Sequence, residues 1–274
     1  MLIPPLKKSQ PADIADRVGK YLASTHSPEE AAHHAQALQE LQQLRAKCLA
    51  AVEPSAANTD LLLKYWAQLA LVENRIDWAA VNIQFCWFDV WKGASTFGSN
   101  AGRTALSSLK WEQACVLFNC AVLHARIGER ELSASDSDQV KQASLNFKKA
   151  AGMFCASRQL ASAMSGEALT PDMGQDCLSM MENLSLAHAQ RCFYEKASRE
   201  NMKAGILAKL AAGVADLYGA AHAPLAEADS QLAKQAGNPK WSKELAVEML
   251  CFRAASHTRM AASMEEGGGG EGDK

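Results

Sequence analysis

The chain has 274 residues and a mass of 29.5 kDa, long enough for one large domain or two small ones. Hydrophobic residues make up 48% and charged residues 21%, which excludes a wholly disordered chain, a collagen-like chain and a coiled-coil rod. A net charge of -2 and a pI near 6.4 lack the basic excess of a nucleic-acid binder.

The 8 proline residues mark joints, because proline breaks helix interiors. Between them the apolar period is about 3.6, the helical value. The spacing predicts helices over residues 11–24 and 28–52. Ser27 is the cap of the second, Pro28 suits its first turn, and Glu29 and Glu30 complement its N-terminus. A third helix is expected over 60–73, capped by Asp60. Residues 81–87 alternate like a strand, with Leu2 and Ile3 as candidate pairing partners. Residues 92–100 have loop composition.

From Thr104 onward the pattern is strongly helical. Trp111, Cys115, Phe118 and Val122 form one stripe; Val140, Ala143, Phe147, Ala150 and Phe154 form another. A third runs through Leu178, Met181, Leu184 and Ala187. Two more helical blocks cover 202–223 and 241–264, with a loop expected over 226–240. The Gly/Glu stretch 265–274 reads as a flexible tail.

Enzyme motifs are absent: the sequence has no phosphate-binding GxxxxGK[ST], no GxSxG and no HExxH. The 8 cysteines show no C-x-x-C pair and mostly sit in apolar stretches, which fits a reducing compartment. His33 and His34 are adjacent, so on a helix they diverge and read as solvated surface. Cys120 and His124 share a helix face, but apolar burial would leave that thiol inert. The N-terminus lacks a signal-peptide core. The best apolar run for a membrane span, between Glu112 and Arg126, is shorter than the ~20 residues a bilayer needs. A soluble, cytosolic, non-enzymatic protein without cofactor or metal is expected.

Several stretches carry a family signature. They are WEQACVLFNCA at 111–121, FKKAAGMF at 147–154, LSLAHAQRCFYEKA at 184–197, the F-x-W-x-D pattern from Phe85 to Asp89, and MKAGILAKLA at 202–211. In this order and spacing the chain resembles the BRO1-domain family of ALIX-, Bro1- and Brox-like endosomal adaptors. The resemblance implies a mainly α fold: an elongated, banana-shaped helical domain with a tetratricopeptide-like solenoid core and a small β-sheet at one end. It implies a single BRO1-like domain over 1–264, short at its C-terminal end, and the tail over 265–274. The implied role is a cytoplasmic adaptor, recruited to endosomes and multivesicular bodies. It would bind the C-terminal amphipathic helix of a Snf7-type ESCRT-III subunit.

The family's apolar docking patch maps onto Phe193, Ile206 and Leu210, and its flanking lysines onto Lys196 and Lys209. On a helical wheel the apolar residues of the segment after Met202 span roughly 180°, more than the ~100° that one buried face needs. Ile206 and Leu210 are then the edge facing a partner, and Leu207, Ala211 and Tyr218 the core edge. Phe97, in its Gly/Ser loop, resembles an exposed loop aromatic of the family. Rival functions are a scaffold for another helix in pH signalling, a peripheral module touching the endosomal membrane, and, last, a cysteine enzyme using Cys120. A monomer is expected.

Overall fold

The structure is a computed structural model; it describes residues 1–92, 102–133, 136–164, 166–226, 232 and 239–268. In chain order the elements are α1 (Ile14–Thr25), α2 (Pro28–Ala50), α3 (Ala56–Val72), α4 (Trp78–Val81), β1 (Phe85–Phe88), β2 (Arg103–Leu106), α5 (Leu109–Leu132), α6 (Ser137–Ser162), a 3-10 turn (Pro171–Met173), α7 (Gln175–Arg199), α8 (Ala204–Ala226) and α9 (Pro239–Gly268). The chain is mainly helical with one small antiparallel sheet, as the resemblance implies. Contacts divide it into two compact units. The first comprises Pro4–Leu123 and Met153–Leu178; the second comprises Met1–Ile3, His124–Gly152 and Ser179–Lys274.

Local chemistry sets most of the helix starts. The Ser27 hydroxyl accepts from the Glu30 amide at 3.2 Å and begins α2 as expected. α1 starts later than expected, at Ile14, because the Asp13 carboxylate caps the Asp16 amide. α3 starts earlier, because Ser55 rather than Asp60 is its cap, accepting from Asn58 N at 3.2 Å. Val81 ends a short helix instead of opening the strand, and Asn82 then takes a left-handed conformation with φ 50°. The strand proper covers Phe85–Phe88 and pairs with β2 in the register Phe85↔Leu106 and Trp87↔Thr104. Thr104 is therefore in a strand, and the helix begins only at Leu109.

The third strand-like segment is residues 8–10, not Leu2 and Ile3. Ser9 bridges Trp87, Gln10 N donates to Cys86 O at 3.0 Å, and Phe88 N donates to Lys8 O at 2.9 Å. Its register is fixed by Asn119 on α5. That carboxamide accepts from Lys7 N at 2.7 Å and donates to Lys7 O at 3.0 Å. One buried side chain thus satisfies both backbone groups of Lys7, which no strand neighbour serves.

Two buried polar clusters organise the first unit. Glu112 is fully buried and accepts from Arg45 Nε at 2.7 Å, Tyr65 Oη at 3.0 Å and Trp87 Nε1 at 2.6 Å. Arg45 also donates to Gln10 O at 3.0 Å and Ser9 Oγ at 2.8 Å, so α2, α3, β1, α5 and the N-terminal segment meet at one ion pair. In the second cluster the Lys7 ammonium pairs with Asp172 and lies near Thr170 Oγ1 at 3.3 Å. Asp172 also accepts from Val90 N at 2.9 Å. Burial, and then the Asp172 charge, hold the neighbouring Asp89 carboxyl above the usual range. The aspartate of the F-x-W-x-D pattern is therefore a structural group.

In the second unit α8 packs along α9. Ser256 Oγ donates to Ala208 O at 2.9 Å, Arg253 pairs with Asp216 at 3.0 Å, and Tyr218 stacks on Phe252 with ring centroids 5.9 Å apart. α8 runs through Pro224 to Ala226, past the expected end. Among the described residues it is the one helix long and apolar enough to cross a membrane by length and composition, a property the sequence reading assigned to no segment. Its buried Leu207, Ala211, Val214 and Tyr218 form part of the core. α9 continues to Gly268, so residues 265–268 are helical rather than tail: Met264, Glu265 and Glu266 are good helix formers, and propagation adds residues at little cost. The loop expected over 226–240 and the rest of the tail lie largely outside the described residues.

His188 on α7 is buried between the rings of Phe147 at 5.2 Å and Tyr218 at 5.9 Å. Burial pushes its imidazole down to about 3, with the N-terminal ammonium and Arg191 adding to the effect. The folded chain keeps His188 neutral, whereas the unfolded chain protonates it below the ordinary 6.5. Its stabilising contribution is complete above pH 6.5 and is lost as pH falls toward 3. By pH 5 about 2 kcal/mol should be gone. Urea unfolding at pH 7.5 and pH 5 checks this: His188→Gln should lose less stability between the two than the parent, and an equal loss would refute it.

Candidate functional site

The expected docking residues Phe193, Lys196, Ile206, Lys209 and Leu210 lie in the second unit, on α7 and α8. α7 ends in a left-handed cap at Asn201, φ 50°. Met202 N reaches back to Ala197 O at 3.0 Å and Asn201 N to Ser198 O at 3.2 Å. Two residues on, the Lys203 carbonyl accepts from Ile206 N at 2.9 Å and Leu207 N at 3.2 Å and opens α8. So short a connection makes α7 and α8 antiparallel neighbours. Phe193 precedes the last residue of α7, Arg199, by about 9 Å of helix rise, and Leu210 follows the first of α8, Ala204, by the same distance. The two side chains therefore sit at one level of the hairpin.

α8 divides as its helical wheel implies. Leu207 is 3% exposed, and Ala208, Ala211 and Tyr218 are sealed in the core. Ile206 is 43% exposed, Leu210 half-buried and Lys209 exposed. On α7, Phe193 is 42% exposed. Phe193, Ile206 and Leu210 thus offer apolar surface that the chain's own interior does not consume. Lys209 forms no ion pair among the described residues. Lys196 differs from expectation: it is half-buried and lies 3.7 Å from Glu200 on its own helix, so part of its charge is already balanced.

Sequence reading missed the contribution of α6. Lys148 holds its ammonium 4.8 Å from the centre of the Phe193 ring, a cation–π contact. Leu145 is 46% exposed. Lys141, paired with Asp138 at 2.9 Å, Leu145 and Lys148 follow i, i+4, i+7 spacing. They line one outer face of α6, opposite the buried Val140–Ala143–Phe147 stripe. That periodicity was readable, but its neighbour on α7 was not. Phe97 lies outside the described residues.

The remaining candidate is closed. Cys120 is fully buried, its sulfur 3.6 Å from Thr59 O, and His124 is buried and bonded to Asn146 Oδ1 at 2.8 Å. Burial pushes the Cys48 and Cys192 thiols up to about 12. Among the described residues no cluster of His, Cys, Asp and Glu could hold a metal ion.

A family model described as a BRO1-like domain matches residues 1–271. The chain belongs to the BRO1-domain family. Similar relatives include the apoptosis-linked gene 2-interacting protein X 1 of Caenorhabditis elegans, 31% identical over 88% of this chain and 27% of its own length. The vacuolar-sorting protein BRO1 of Arabidopsis thaliana is 32% identical over 77% of this chain and 25% of its own. The chain thus spans about a quarter of the curated relatives it matches. Among solved structures, the ALIX BRO1–CHMP4C complex matches with a TM-score of 0.82 at 27% identity, covering 97% of this BRO1 chain and 74% of that one. ALIX bound to a SIVmac239 late-domain peptide matches with a TM-score of 0.83 at 27% identity, over 97% of this chain and 38% of that chain.

Proposed function

We propose that this BRO1-domain chain is a non-enzymatic adaptor that binds the C-terminal amphipathic helix of an ESCRT-III subunit, acting in the cytoplasm and at endosomes during cargo sorting. Residues 1–264 would act as one BRO1-like domain. The observation that carries the reading is the water-facing apolar surface of Phe193, Ile206 and Leu210, bordered by Lys148 and Lys209. The related ALIX BRO1 domain forms a complex with CHMP4C, which is the class of partner proposed here.

Recognition follows helix-on-surface chemistry. The partner's apolar stripe covers the three side chains and supplies affinity, concentrated in a few central contacts. Lys148, Lys203 and Lys209 meet acidic residues at the edge of that helix and set orientation and encounter rate. The test is titration calorimetry of the chain with ESCRT-III C-terminal helix peptides. Leu210→Asp sets a carboxylate against the partner's apolar stripe and should weaken binding by about 2–4 kcal/mol. Its circular dichroism should stay that of the parent. Unchanged affinity would remove Leu210 from the site, and a misfolded variant would place it in the core instead.

A further inference from the structure

The outer face of α6 holds one apolar side chain in a frame of cations. Leu145 is 46% exposed, and Lys141, Lys148 and Lys149 are exposed around it. On a helical wheel the three lysines fall within about 60° of Leu145. Lys141 is paired with Asp138 at 2.9 Å, whereas Lys148 and Lys149 form no ion pair among the described residues.

This face adjoins the α7–α8 hairpin. The hydroxyl of Ser144, next to Leu145 in the chain, donates to Ala189 O at 3.3 Å. Leu145 is thereby level with a point on α7 one turn before Phe193. Helical side chains lean toward the N-terminus of their own helix. Lys148 therefore leans toward Leu145 and Phe193 leans toward Ala189, and the two meet with the ammonium 4.8 Å from the ring centre. α7 lies between α6 and α8, since the His188 ring contacts Phe147 at 5.2 Å and Tyr218 at 5.9 Å.

We propose that Leu145 is a further specificity-determining anchor for the ESCRT-III tail helix, which crosses α7 at Phe193 and ends against α6. The inference rests on the partner class proposed above and adds to it a third helix and a minimum length. Continuity with Phe193 and a shared charge choose the occupant. Lys148 and Lys149 beside Leu145, like Lys203 and Lys209 near Leu210, call for an apolar stripe with an acidic border. Neighbouring helix axes lie about 8–10 Å apart. Touching Leu210 and Leu145 together therefore takes roughly 16–20 Å, or about 11–13 helical residues. A shorter stripe covers the α7–α8 hairpin alone, so Leu145 selects for tails with an apolar stripe of three turns or more.

The test is titration calorimetry with an ESCRT-III C-terminal helix peptide of about 20 residues, long enough for the whole crossing, and with versions trimmed by two turns from either end. Leu145→Glu should weaken the full peptide about tenfold or more, because it sets a carboxylate against the partner's apolar stripe and acidic border. The new carboxylate has Lys141, Lys148 and Lys149 within helical pairing distance, so circular dichroism should match the parent. Leu145→Gln removes the apolar contact alone and should weaken binding about fivefold. One of the two trimmed peptides should bind the parent and Leu145→Gln equally, because it no longer reaches α6. If Leu210→Asp weakens binding while Leu145→Glu and Leu145→Gln bind as the parent does, the anchor is overturned and the partner reading stands. If the parent itself does not bind, both are overturned. Equal sensitivity of both trimmed peptides to Leu145→Gln overturns the crossing.

Discussion

Replacing Glu112 with alanine should destabilise the chain by about 3–5 kcal/mol, among the largest single-site effects expected here. Glu112 is the only carboxylate bonded to Arg45 among the described residues, and it also receives the buried Tyr65 hydroxyl and Trp87 indole. Truncation leaves a guanidinium in the core without its counter-charge and two donors without an acceptor. Against a typical domain stability of about 5–15 kcal/mol, such a loss is a large fraction. Glu112→Gln keeps the shape but not the charge and should cost less. Pairing Glu112→Leu with Arg45→Met should recover part of the loss, because the attraction and the burial penalty disappear together. Urea titration of the three variants beside the parent decides: a Glu112→Ala loss under 1 kcal/mol would mean that water reaches Arg45.

The second large effect belongs to Lys7. Its ammonium is buried with Asp172 and lies 5.5 Å from the Phe118 ring centre and 5.9 Å from that of Trp111. Lys7→Ala removes the cation from a site that also holds Asp89, and should cost about 3–5 kcal/mol near neutral pH. Acid should reduce the deficit. Asp89 already has its carboxyl held above the usual range by burial and by Asp172. Protonating it as pH falls removes one of two facing negative charges. A Lys7→Ala deficit that grows on acidification would contradict this account of the cluster.

How much of this was legible depends on which physical scale decides each feature. The split of α8 into a wet edge at Ile206 and a dry edge at Leu207 follows from a 100° step, so the sequence alone displays it. Caps are equally local: Ser27 was readable, and Ser55 could have been, beside Pro54. β2 is four residues long with no hairpin signal, so it gave no pattern to read. Glu112 reads as the polar end of an apolar run and proves to be a buried hub, because its partners Arg45, Tyr65 and Trp87 come from distant parts of the chain. The Lys148–Phe193 contact is likewise a matter of inter-helix geometry. Length and composition alone single out α8 as a membrane candidate; its contacts with α9 place it in a core.

The tight seam between α8 and α9 has a consequence for association. A Cβ on Gly205 would stand 3.0 Å from Ser263 Oγ, and one on Gly219 3.4 Å from Met249 Sδ. Two such points, almost four turns apart, leave α8 no rotational slack, so Ile206 is presented to water before any partner arrives. For the proposed ESCRT-III tail, the receptor half of the encounter would then be prepaid in conformational entropy, and the ordering cost would fall on the incoming helix. The intrinsic helicity of that proposed tail, rather than any rearrangement of this chain, would set how much of the contact energy survives as affinity.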